Sequence, residues 1–182
     1  GIDNEKVFVM KFLAPLYIAW EITHLCNARC LHCYSNSSPE SSKTNDLDTQ
    51  EALRVIDQLA DAGLMVLAFS GGEPLLRQDW PTLAKHAKER GLVVNFGTNG
   101  SCITPQTADS IAQLGVDSMT ISIDSHIPHV HDDFRGVIGL HKKAVKAIRL
   151  LRQREVRVVV GFTPTEINWH HGSEVALLAL HL

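Results

Sequence analysis

Apolar residues along this chain fall into short continuous runs, separated by longer stretches with a helical repeat. The runs Leu16–Thr23, Met65–Ser70, Leu92–Gly97, Ser118–Asp124 and Val156–Phe162 are rich in Val, Ile, Leu, Phe and Thr. None shows clean polar alternation, which is how strands buried on both faces of a parallel sheet read. Between the first two runs, Asp48 with Glu51 three residues on predicts a capped helix start. Leu53, Ile56 and Leu59 then share a face, and Gly63 ends the helix. Pro81 sits like a first-turn proline, with Leu83, Ala84 and Ala87 inward and Gly91 at the end. Thr104-Pro105 opens a third helix, which Gly115 closes. A fourth runs from Leu140 to Arg154, with Ala144, Val145, Ile148 and Leu151 as its stripe. The order is β(αβ)4, an α/β fold with connections that suit right-handed crossovers. Ser35–Asp46 reads as a loop insertion, and His131–Gly136 as part of the loop after the fourth strand. After Phe162 the pattern blurs. Glu174–Leu182 is a candidate fifth helix, and no sixth strand is visible.

Composition narrows the class without deciding it. At 182 residues, 45% apolar and 20% charged, the chain reads as one domain with a core. A net charge of −3 predicts no attraction to nucleic acid or to a membrane surface. Four cysteines, with no secretory signal, point to a reducing cytoplasm. Gly1–Lys6 reads as a trimmed end.

Three of the cysteines carry the candidate chemistry. Cys26, Cys30 and Cys33 lie in one short C-x3-C-x2-C loop directly after the first strand. Three soft thiolates at this spacing can grip three corners of an iron–sulfur cube and leave one iron free for another ligand. In an α/β barrel, the carboxyl end of a strand is where chemistry is placed. A zinc site needs a fourth ligand from His24, His32 or Cys102, none at a familiar spacing. A redox pair at Cys30 and Cys33 leaves Cys26 unexplained, and a disulfide framework does not suit so few cysteines. The spacing by itself leaves the cluster and the simple metal module open.

The other strand ends carry polar motifs. Strand two ends in Gly71-Gly72-Glu73-Pro74, where glycines allow a sharp turn and close approach to a ligand, and Glu73 could pair with an ammonium group. Strand three ends in Thr98-Asn99-Gly100, and strand four holds Ile121-Ser122-Ile123-Asp124. Arg135, in Phe134-Arg135-Gly136, suits a carboxylate clamp or a solvated surface. His126, His129 and His131 are either metal ligands or part of a polar loop.

Taken together and in this order, these motifs resemble the radical S-adenosylmethionine (radical SAM) superfamily over residues 15–168. The resemblance implies a partial (β/α)6 barrel whose completion at the C-terminus is left open, with 1–182 as the core domain and 169–182 its least clear part. It implies a [4Fe–4S] cluster on Cys26, Cys30 and Cys33, with S-adenosylmethionine (SAM) chelating the fourth iron. Glu73 with the Gly71-Gly72 backbone would hold the SAM amino group, and Ser122 and Arg135 the carboxylate. Thr98 or Asn99 would meet the ribose or carboxylate side, and His32 and Tyr34 would lie near the adenine. One electron then splits SAM into methionine and a 5′-deoxyadenosyl radical, which takes hydrogen from substrate.

Trp20-Glu21-Ile22-Thr23 and Val130–Gly136 resemble one branch of the family most. It holds peptide maturases of the pyrroloquinoline quinone and mycofactocin kind, and enzymes that modify haem precursors. The implied partners are an electron donor such as flavodoxin or ferredoxin and a peptide, tetrapyrrole or small-molecule substrate. Many members of this branch carry a C-terminal cysteine-rich domain. Here Cys102 is the only further cysteine, and Trp169-His170-His171-Gly172 matches neither the helix nor the strand expected there. A nucleoside- or sugar-acid-modifying enzyme and a non-catalytic zinc or iron–sulfur module are the alternatives.

Overall fold

The structure is a computed structural model that describes residues 15–41 and 46–182. Gly1–Lys6 and part of the Ser35–Asp46 insertion therefore lie outside the described residues. Five parallel strands form one sheet in sequential order: β1 Tyr17–Glu21, β2 Val66–Ser70, β3 Val93–Thr98, β4 Ser118–Ser122 and β5 Val158–Gly161. Each is joined to the next through helix, which is the partial-barrel arrangement expected from the sequence. Among the described residues there is no sixth strand.

Local chemistry sets the helix boundaries. In α1 (Thr49–Asp61) the Asp48 carboxylate accepts the Glu51 amide at 2.8 Å, and the Glu51 side chain accepts the Asp48 amide at 3.0 Å. This is the predicted capping box. Helix α2 (Trp80–Glu89) has Pro81 in its first turn, and α3 (Pro105–Gln113) is capped by the Thr104 hydroxyl. Ile56, Leu83 and Ile111 on these helices are fully buried against Phe69 and Phe96 of the sheet, whose rings lie 5.0 Å apart.

Three expectations are corrected. The strands are not all buried on both faces. β2 buries its middle three residues, but β3 and β4 alternate, and the edge strands β1 and β5 bury none. On β3 and β4 the less buried face carries Gly97 and Ser122, which line a cavity. The stretch after β4 is a helix, α4 (Pro128–Arg135), not a loop. Pro128 opens it, and Gly136 ends it in the left-handed region at φ 65°. The last helix starts earlier than expected: a 3-10 turn at Trp169–His171 runs into α6 (Gly172–His181), following α5 (Leu140–Arg152) and β5.

Candidate radical SAM site

The cysteine loop is pinned just before it and again at its middle. Before it, the Arg77 guanidinium donates to the Ile22 carbonyl at 2.9 Å, and the Thr23 hydroxyl donates to Asp46 at 2.6 Å. Further on, the Arg29 and Leu31 amides donate to the carbonyls of Arg135 and Phe134, each at 3.0 Å. Those carbonyls are the orphaned last acceptors of α4, so the helix hidden in the sequence is what anchors the loop. The His32 ring stacks on Phe134 with centroids 4.5 Å apart.

The thiols of this loop sit close enough to repel one another as thiolates. Burial above all pushes the Cys26 thiol up to about 11, and Glu73, Cys30 and Cys33 push the same way. Cys30 is also raised by burial, against the pull of Arg135. Both shifts disfavour the thiolate at Cys26 and Cys30, a cost that a bound cationic centre would offset. No three His, Cys, Asp or Glu side chains among the described residues meet as a single-ion site, so the thiols border a space rather than a point. That space is a cavity of about 340 Å3. The donor set, its softness and the room in front of it fit an iron–sulfur cluster.

The expected residues converge on this cavity with one exception. Cys26, Cys30, Cys33, His32 and Tyr34 line it from the loop. Gly71 and Gly72 after β2, Thr98 and Asn99 after β3, Ser122 on β4 and Arg135 on α4 line the rest. Glu73 does not. Its carboxylate is wholly buried and accepts the Thr98 hydroxyl at 2.7 Å and the amides of Asn99 and Leu75 at 2.8 and 3.2 Å. Burial raises its pKa, opposed first by the Thr98 bond.

The two glycines also bring their strand end against the cysteine loop. Gly71 has φ +123°, and a Cβ there would lie 2.3 Å from the Thr23 carbonyl oxygen. A Cβ on Gly72 would lie 2.3 Å from that of Leu25. The Gly72 and Glu73 amides donate to those two carbonyls at 2.8 and 2.9 Å. The close approach is thus to the backbone leading into the cysteine loop, while both glycines also line the cavity.

Behind Arg135 lies a buried polar group that sequence reasoning missed. Arg135 Nε donates to Asp124 at 2.6 Å, and Nη1 lies 3.8 Å from Cys30 Sγ. Asn168, 44 residues away in sequence, donates to the Asp124 and Thr163 carbonyls at 3.1 Å. His131 is buried and accepts the Asp124 amide at 3.1 Å, so it serves as a structural acceptor. His129 is exposed, and His126 faces His171 with ring nitrogens 3.4 Å apart. The signal for Asp124 was present in Ser122-Ile123-Asp124; nothing local marked Asn168 or Thr163.

Comparison with known proteins decides the family. The profile of the Radical SAM superfamily matches residues 20–172. The chain belongs to the radical SAM superfamily. It is 35% identical over 169 residues to an AdoMet-dependent heme synthase of Methanosarcina barkeri, covering 93% of this chain and 48% of that protein. It is 34% identical over 155 residues to the mycofactocin maturase MftC of Mycolicibacterium smegmatis, covering 85% of this chain and 37% of the maturase. The crystal structure of Streptococcus suis SuiB bound to S-adenosylmethionine superposes with a TM-score of 0.78 at 17% identity, covering 90% of this chain and 37% of that one. This radical SAM chain therefore spans about half, or less, of the length of the relatives it matches. The superfamily works with a [4Fe–4S] cluster and SAM, and no helix among the described residues is long and apolar enough to cross a membrane.

Proposed function

We propose that this chain is the SAM-cleaving core of a radical SAM enzyme that modifies a haem-precursor tetrapyrrole. The observation that carries the reading is the single cavity bordered by Cys26, Cys30 and Cys33 on one side and by the polar ends of β2, β3 and β4 on the other. Cys26, Cys30 and Cys33 hold the cluster. When bound and reduced, the cluster supplies the electron that splits SAM into methionine and a 5′-deoxyadenosyl radical. The Gly71-Gly72 backbone receives the SAM amino group, because both residues line the cavity while the Gly72 and Glu73 amides are already bonded to the Thr23 and Leu25 carbonyls. Glu73 supports that site from behind through Thr98 and Asn99. Ser122 and Arg135 hold the carboxylate; Arg135 Nη2 has no hydrogen-bond partner among the described residues. Thr98 or Asn99 meets the ribose side, and His32 and Tyr34 border the adenine. An electron donor such as flavodoxin or ferredoxin supplies the electron, in the cytoplasm.

Likeness to the heme synthase over nearly the whole chain favours a tetrapyrrole substrate. A peptide substrate is the second reading, favoured by the likeness to the mycofactocin maturase. Reduced, anaerobically reconstituted protein should convert SAM to 5′-deoxyadenosine, and an iron tetrapyrrole bearing propionates should accelerate this. Acceleration by a precursor peptide instead would favour the second reading. A protein that forms no 5′-deoxyadenosine at all would overturn both.

A further inference from the structure

Stability alone is a weak reason for the buried pair of Asp124 and Arg135. Taking two charges out of water costs more than most such pairs return, and apolar replacements are often as stable. Here Asp124 is 0% exposed and Arg135 is 8% exposed. Every polar atom of Asp124 is nevertheless engaged, from α4 and from the stretch after β5. Oδ2 accepts Arg135 Nε at 2.6 Å, and Oδ1 accepts the Thr163 amide at 3.1 Å. The Asp124 amide donates to His131 Nδ1, and its carbonyl accepts Asn168 Nδ2, both at 3.1 Å. Arg135 is held from the other side too, through its carbonyl, by the Arg29 amide of the cysteine loop at 3.0 Å. A guanidinium fixed at Nε has little freedom left in its planar fork. What the fork points at is Cys30 Sγ, 3.8 Å from Nη1.

We propose that Asp124 is a positioning residue that aims the Arg135 guanidinium at the Cys30 sulfur, and that the aimed N–H raises the reduction potential of a cluster ligated there. The inference rests on the reading that Cys30 is a cluster ligand. An N–H donated to a ligating sulfur stabilises the more negative, reduced state, and such outer bonds are among the levers that set cluster potentials. Asp124 would thereby make the cluster easier to reduce without touching it. Its own negative charge acts in the opposite direction, so its benefit comes from aim and not from charge.

Variants that conserve charge separate the two effects. The test uses protein labelled with 15N-arginine, reconstituted anaerobically and reduced without SAM, as wild type, Asp124→Glu, Asp124→Asn and Arg135→Lys. Iron content, the 15N coupling to the reduced cluster by pulsed electron paramagnetic resonance, and the midpoint potential are measured for each. The wild type should show the 15N coupling, and both Asp124 variants and Arg135→Lys should lose it. Asp124→Glu and Arg135→Lys should also lower the midpoint, although neither changes the formal charge. Asp124→Glu should lower it no further in an Arg135→Lys background. If the longer side chain does not fold, loss of the 15N coupling in Asp124→Asn decides the aiming role by itself. Full coupling in a folded Asp124 variant, or an unmoved midpoint in Arg135→Lys, overturns the proposal while the cluster reading stands. A wild type that takes up no iron overturns the cluster reading, and this proposal with it.

Discussion

The Thr98 hydroxyl donates to the Glu73 carboxylate at 2.7 Å, and this bond joins the ends of β2 and β3 beneath the candidate SAM site. Glu73 is therefore part of the floor and not of the surface. Glu73→Gln keeps the shape but turns an amide nitrogen toward groups that donate. The expected cost is about 1–3 kcal/mol of folding stability, the scale for leaving buried polar groups unpaired. SAM affinity should fall along with it. Urea unfolding and a SAM titration on the same sample check this. Weakened SAM binding with unchanged stability would mean that Glu73 meets SAM directly.

Gly71 tests the same junction from the backbone. Its φ of +123° suits only glycine, and an added Cβ would press on the Thr23 carbonyl. Gly71→Ala should cost about 1–3 kcal/mol from dihedral strain, and should loosen the cysteine loop that follows. Lower iron retention together with a lower urea midpoint is the expected result. A variant as stable as wild type would show that the glycine serves the ligand and not the loop.

His131 makes stability depend on pH. Burial first, and Arg135 next, lower its pKa from 6.5 to about 4, with Asp124 and Asp132 opposing and His141 reinforcing. Between those two values the unfolded chain binds more protons than the folded one. Stability is therefore complete above about pH 6.5 and falls as pH drops toward about 4, by about 3 kcal/mol in all. Burial lowers His32 and His141 as well, which acts in the same direction. Denaturant unfolding of the iron-free protein from pH 7.5 to 4.5 should show this slope, and His131→Gln should flatten part of it. An equally steep slope in that variant would contradict the assignment.

Much of this architecture was legible in the sequence. The strands stood out because Val, Ile, Leu and Phe crowd short runs, and helices α1 to α3 because Asp48, Pro81 and Thr104 mark their starts. Helix α4 was hidden for a physical reason. It buries His131, Asp132 and Arg135 beside Phe134, so its inward face is polar and gives no apolar stripe. Only Pro128 and Gly136 betrayed it. The cysteine loop and the cavity-lining motifs of β2, β3 and β4 could be read because each lies at or just after a strand end. The roles of Glu73, Asp124 and Asn168 could not, because each has a deciding partner on another segment: Thr98 lies 25 residues from Glu73, and Asn168 lies 44 from Asp124.

Cysteine usage separates the cluster loop from the fourth thiol. Cys102 lies beside Ser101 and Asn27 after β3 and does not line the cavity. Cys102→Ala should keep full iron content, while alanine at Cys26, Cys30 or Cys33 should abolish it. Iron and sulfide analysis of the four variants decides the point. Retention of iron by Cys26→Ala with loss by Cys102→Ala would reverse the assignment.

The central claim is that one cavity holds both a cluster with an open iron and SAM. Electron paramagnetic resonance of the reduced, reconstituted protein, recorded before and after SAM is added, tests it most directly. About four irons per chain, as a [4Fe–4S] cluster requires, and a cluster signal that changes shape on adding SAM are the predicted result. A colourless protein carrying zinc, or a cluster signal indifferent to SAM, would contradict the account.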